Sequence, residues 1–215
     1  GAGGIIVTPA SPTRYMLVGK SGTSTFVRCV TVNTGSQPLP PRISEFSASN
    51  RLALRDGFND APDWIEILNP NATTQDISGI CLTDDPAQPT KWAFPSGTVI
   101  PAHGYLIVCA SGRSTAGPDS EGFIHAPFNL AASGETLRLY SAGGTTLLDS
   151  ITFAAQDEDL SYGRTADDGW TYMTPSPGAP NLTDTYTGWL LPPVFSETRG
   201  VRTTSFSLTL SNPNA

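Results

Sequence analysis

The chain has 215 residues, with 12 Lys and Arg against 19 Asp and Glu and a formal net charge of −7. That balance excludes a phosphate-tracking surface, because nucleic-acid binding rests on clustered Lys and Arg, and no run reaches the roughly 18 apolar residues that a membrane-spanning helix needs. With 21 Gly, 19 Pro and only 14% charged residues, the composition suits short strands joined by polar, uncharged turns, in one large domain or one domain carrying pieces of its neighbours.

Near the start, Ile5–Val7, Arg14–Val18 and Phe26–Val32 are strand-like, and Lys20-Ser21-Gly22 has the composition of a hairpin loop. The second and third of these are expected to pair and to bury Tyr15, Leu17 and Val30. Asn33–Pro41, rich in Pro, Ser and Gly, reads as a linker. A new unit begins at Ile43, where Ile43, Phe46 and Ala48 do not alternate, which predicts a bulge or an edge strand. Leu52–Pro62 is a turn-rich acidic loop. It leads into a strand at Trp64–Leu68, an Asn69-Pro70 turn and a short strand carrying Ile80 and Leu82, before Trp92, Phe94 and the reversal at Pro95-Ser96-Gly97.

After a turn at His103-Gly104, the continuous apolar run Tyr105–Cys109 predicts a strand covered on both faces. Ser111–Gly122 reads as an exposed loop. Thr136–Tyr140 puts Leu137 and Leu139 on one face, and Gly143-Gly144 turns the chain into Leu147–Phe153. Phe206–Leu210 reads as an end strand, expected to add to a sheet edge and to bury Phe206 and Leu208. No stretch from Ile43 onward sustains a helical period, so the fold class is all-β.

Catalysis needs an acid, base, nucleophile or metal held together. Only His103 and His125 offer imidazoles; each sits in a turn-like context and is expected to be an exposed loop residue. No Gly-x-Ser-x-Gly elbow occurs. The chain therefore reads as no enzyme, with no catalytic and no cofactor-binding residues assigned. Cys29, Cys81 and Cys109 read as buried thiols; Cys81 and Cys109 can pair only if their Cα atoms come within about 7 Å.

Asp56, Asn59, Asp60 and Asp63 share one short loop, and Asp84 and Asp85 end a later strand. Calcium takes hard oxygen ligands that such a loop can supply. The first four are the candidate metal ligands, against the simpler use of Asp and Asn as turn formers. Trp64, Trp92, Trp170 and Trp189 either fill the core or line a glycan-stacking face. Arg164 is expected to make structural contacts with carbonyls or a carboxylate.

Many ordered phrases between about Ile43 and Asn181 resemble the lamin-tail domain of bacterial surface and secreted proteins. They include Ile43-Ser-Glu-Phe-Ser-Ala-Ser-Asn50, Asp63-Trp-Ile-Glu66 with Asn69-Pro70, Ile77-Ser-Gly79, and Leu82-Thr-Asp-Asp-Pro86. Further on come Trp92 with Phe94-Pro95, Gly104-Tyr-Leu106, Phe128-Asn-Leu130, Ser133-Gly-Glu135, Asp159-Leu-Ser-Tyr-Gly-Arg164 and Thr174-Pro-Ser-Pro-Gly-Ala-Pro-Asn181. Cys81 and the Leu52–Asp60 loop depart from the family pattern. The resemblance implies an immunoglobulin-like β-sandwich at 43–181 that serves as a module. Its wider context is extracellular or on the cell surface, and its role is adhesion, spacing or contact with protein or surface glycan.

Residues 1–38 resemble the closing strands of a bacterial immunoglobulin-like repeat. Residues 190–215 resemble the opening of a small sandwich related to the chitobiase C-terminal domain. The alternative function is a carbohydrate-binding module attached to a hydrolase.

Overall fold

The computed structural model describes residues 7, 13–21, 24–32, 38–115, 117–182, 185–186, 194–196 and 204–211. In chain order its first strands are β1 (Thr13–Ser21), β2 (Ser24–Val32), β3 (Arg42–Ser47), β4 (Asp63–Leu68), β5 (Gln75–Asp76), β6 (Cys81–Thr83) and β7 (Trp92–Ala93). Next come β8 (Val99–Ile100), β9 (Tyr105–Ala110), β10 (Ile124–Ala126), β11 (Thr136–Tyr140), β12 (Leu147–Thr152), β13 (Ser161–Arg164) and β14 (Trp170–Met173). Between β11 and β12 the expected glycine turn is a single 3-10 turn, Ala142–Gly144, with Gly143 at φ 77° and Gly144 at φ 71°. Among the described residues no helix is long and apolar enough to cross a membrane.

The chain divides into two units, Gly1–Thr185 and Tyr186–Ala215. In the first, one sheet runs β10-β9-β4-β3-β13-β14 and the other β12-β11-β6-β7. Neighbours are antiparallel except β9 and β10, which run parallel. The fold is an all-β, immunoglobulin-like sandwich. Ile43, Phe46, Ile65, Ile67 and Val108 from the first sheet meet Leu82, Leu137 and Leu139 from the second in one buried core. Phe153 completes it, its ring 4.6 Å from that of Phe46. Each such side chain stabilises the fold by about 1.5–3 kcal/mol.

The irregular spacing at Ile43 is a bulge in a central strand, not an edge. The register pairs Ile43 with Ile67, then Glu45 with Glu66 and Phe46 with Ile65, shifting between Ile43 and Glu45. Regular alternation would put Ile43 and Phe46 on opposite faces; the extra residue lets both enter the core and sends Glu45 and Glu66 to the outer face. There Trp64, Cys109, Ile107 and Leu54 form a second buried cluster. β9 is thus covered on both faces, as its apolar run predicts.

β1 and β2 pair as expected, from Thr13 opposite Val32 to Ser21 opposite Ser24. Val30, expected to be buried, is 47% exposed, and Tyr15 is half-buried. In the second unit Val194–Phe195 pairs with Leu210–Ser211, so of the expected end strand Phe206–Leu210 only Leu210 enters a ladder, and 206–209 form no strand. Phe206 and Leu208, expected to be buried, are both 54% exposed. Ile5, Trp189 and the side chain of Leu17 lie outside what is described.

Candidate functional site

Polar side chains from three segments converge beside β9 and β10: Asp56 from the loop before β4, Ser111, Arg113 and Asp119 after β9, and His125 in β10. Asp119 accepts N–H groups from Gly57 at 2.7 Å and from Glu121 and Phe123 at 2.9 Å, and its Oδ2 lies 3.0 Å from His125 Nε2. Burial alone would push this carboxyl up. The hydrogen bonds from Gly57, His125, Phe123 and Glu121 outweigh it and hold Asp119 down at about 2. Since Asp119 only accepts, Nε2 carries the ring hydrogen and Nδ1 accepts from the Ser111 hydroxyl at 2.8 Å.

Phe58 stands edge-on to His125, ring centroids 5.5 Å apart, and the Arg113 guanidinium lies 4.5 Å over the Phe58 ring. Arg113 donates to Asp56 Oδ2 at 2.9 Å and pairs with Asp60. Asp56 Oδ1 accepts the N–H groups of Phe58 and Asp60 at 3.0 and 2.9 Å.

Ser111, His125 and Asp119 follow the order of a nucleophile relay, yet the imidazole is fully enclosed with both nitrogens committed. Such a ring acts as a pin, tying the 56–60 loop and the 111–123 loop to the sheet. His125 is therefore not the exposed loop residue that its Ala-Pro neighbour suggested. The parallel pairing of β10 with the edge of β9 carries it inside, and the apolar neighbours Phe123, Ile124 and Phe128 were the available hint. Asp119, inside a loop read as exposed, is half-buried, with its carboxylate enclosed against His125. His103 does lie exposed in its turn, at φ 52°.

Of the four candidate calcium ligands, Asp56 and Asp60 share Arg113. Asn59, at φ 63°, offers its backbone carbonyl to Arg55 at 3.0 Å. Asp63 accepts the N–H of Leu130 at 3.0 Å, and burial pushes its carboxyl up to about 6. Asp85 accepts from Ala87 N–H and the Gln88 amide, while Asp84 pairs with Lys91. These are the uses of turn-forming residues. Among the described residues, the group of acidic and imidazole side chains whose ligand atoms do converge is Asp56, Asp119 and His125, within 4.8 Å of one another. Its charge is already met by Arg113 and by backbone N–H groups. All three cysteines are free. Cys81 lies in the smaller sheet and Cys109 in the larger, where burial pushes its thiol up to about 12.

The segments entering and leaving the sandwich are also held. Asn71 accepts the Leu39 N–H at 2.8 Å and donates to the Leu39 carbonyl at 2.9 Å, which Gln75 reaches as well, at 3.0 Å. Arg14 of β1 and Arg42 of β3 both pair with Asp168. Arg164 donates to Ile43 O, Asp168 and both oxygens of Asp149 while lying 4.7 Å over Trp170. Those are the structural contacts expected of it. At the other end Asn181 donates to the carbonyls of Ser44 and Arg164, each at 2.9 Å.

The sequence model of the Lamin Tail Domain family matches residues 40–155, over half of the chain. The chain belongs to the lamin tail domain family. No curated protein and no solved structure matches it. The family is a non-catalytic immunoglobulin-like domain, in keeping with an imidazole used as a pin. In this lamin tail domain β13, β14 and the 174–181 segment lie beyond the matched residues. β13 nonetheless pairs with β3 at the centre of the larger sheet.

Proposed function

We propose that this lamin tail domain is a non-catalytic contact and spacing module of a larger bacterial extracellular or cell-surface protein. The closing strands of an immunoglobulin-like repeat precede it, and the opening of a chitobiase-related sandwich follows. The observation that carries the spacing role is the two-sided clasp of Leu39 by Asn71, with Gln75 on the same carbonyl. A flexible tether needs no such clasp, whereas a spacer that passes orientation from one module to the next does. The surface location rests on the resemblance of the sequence phrases to bacterial surface proteins.

The alternative, a carbohydrate-binding module, calls for coplanar exposed aromatics. Trp64 is fully buried, Trp92 packs 4.8 Å from Phe94, and Trp170 stacks on Tyr162 at 5.6 Å. These placements favour spacing.

The test is 15N relaxation on the chain. The β1–β2 hairpin and the sandwich are expected to tumble as one body, and Asn71→Ala with Gln75→Ala to uncouple them. Independent tumbling of the unmodified chain would sink the spacing role. Glycan-array binding abolished by Trp170→Ala in a folded protein would replace it with the glycan reading.

A further inference from the structure

Glu45 and Glu66 face each other across the β3–β4 register, and both are 0% exposed. Laid over them is 174–181, Thr-Pro-Ser-Pro-Gly-Ala-Pro-Asn, which has no ionisable side chain. Ser176 gives its N–H to Glu45 Oε1 at 3.0 Å and its hydroxyl to Oε2 at 2.8 Å; Gly178 gives its N–H to Glu66 Oε2 at 2.7 Å. The remaining oxygen, Glu66 Oε1, is buried and has no hydrogen-bond partner.

We propose that 174–181 is a proton-latched strap, closed while Glu66 holds a proton on Oε1 and lifted when that proton leaves. A neutral acid has little charge to desolvate. An ionised Glu66 puts negative charge on an oxygen without a donor, opposite the carboxylate of Glu45, and burying such a charge is costly. From β3 the groups on Glu66 are Glu45 and the Ser44 hydroxyl; from β9 the titratable group coupled to it is the Tyr105 phenol; the strap adds the Gly178 N–H. None of these is a cation. Burial, with Glu45 adding to it, pushes Glu66 up to about 8 against the hydrogen bond from Gly178 and the nearby Ser44 hydroxyl, which donates to Asn181 Oδ1 at 3.3 Å.

Water reaches the new charge most easily through the strap, because β3 and β4 are locked by sheet ladders while the strap rests on side-chain contacts. Lifting it frees 174–181, the segment that lies between β14 and Thr185.

The test combines carboxyl 13C NMR of the Glu-labelled chain with amide hydrogen exchange of Ser176 and Gly178, corrected for intrinsic rates, from about pH 6 to 9.5. Glu66 is expected to titrate near 8. Protection of the two amides should fall at least tenfold in step, while Ile65 and Ile67 stay protected. Glu66→Gln should make that protection independent of pH, and Ser176→Ala should leave the titration midpoint where it is. The proposal is overturned by a Glu66 midpoint below 6, by protection unchanged after Glu66 ionises, or by loss of β4 protection in the same step. Should Glu66→Gln not fold, the wild-type titration against strap exchange decides alone.

Discussion

Replacing Asp119 by Ala removes the acceptor that ties two loops to β10. Three backbone N–H groups and His125 Nε2 lose their partner. Glu121 is exposed and turns to water at little cost, but Gly57 and Phe123 are half-buried. A donor left unsatisfied costs about 1–3 kcal/mol, so two partly shielded ones amount to roughly 2–4 kcal/mol, and a His125 ring no longer held at Nε2 raises the total to roughly 3–5 kcal/mol. That is a large share of the roughly 5–15 kcal/mol a domain possesses. Asp119→Asn keeps an acceptor but turns an N–H2 towards donors, and should lose about half as much. The assay is urea unfolding at neutral pH by tryptophan fluorescence, with the fully buried Trp64 as reporter. A loss below about 1 kcal/mol for Asp119→Ala, or an equal loss for Ser111→Ala, would refute the pin, since Ser111 is half-buried and, besides accepting the Arg113 N–H at 3.3 Å, reaches the ring only at its far nitrogen.

Asp63 and Glu66 have carboxyls raised to about 6 and about 8 from ordinary values of 3.8 and 4.5. The folded chain thus holds protons the unfolded chain has lost, and stability falls as pH rises through 6 and then 8; the urea midpoint should drop from about pH 5 to pH 9, and Asp63→Asn should flatten the lower part of that fall. Gly134 adopts φ 103°, and a Cβ there would lie 2.6 Å from Phe153 O, so Gly134→Ala should cost roughly 2–4 kcal/mol by thermal or urea unfolding; a neutral result would mean that the turn relaxes freely. With Arg113 already balancing Asp56 and Asp60, millimolar calcium and a chelator should give the same melting curve, and a clear calcium-dependent rise in Tm would restore those oxygens as ion ligands. Cys109 should resist alkylation until the protein unfolds, because its thiol is buried and raised to about 12; fast labelling of the native chain would contradict its enclosure.

Strand positions, the all-β class and the family phrases were legible in order along the chain, because alternation and turn chemistry are local. Leu137 and Leu139 share a face by period two, and both are fully buried. Ile43, Phe46 and Ala48 announced their bulge by breaking that period. Arg164 drew the carbonyl and carboxylate contacts that its chemistry called for. Asp56 and its neighbours were equally visible as oxygen-rich turn residues, but whether those oxygens meet an ion or a guanidinium depends on Arg113, more than fifty residues away in sequence.

The same separation explains what only the tertiary structure decided. His125 is buried because β10 joins β9 in parallel, and no local pattern marks a parallel partner. Glu45 and Glu66 become enclosed only when a segment more than a hundred residues later crosses them. Sequence by itself determined which residues form strands and which face of each is apolar. Pairing at long range, where loop closure is offset by many contacts at once, determined which charges lost their water and which found a partner.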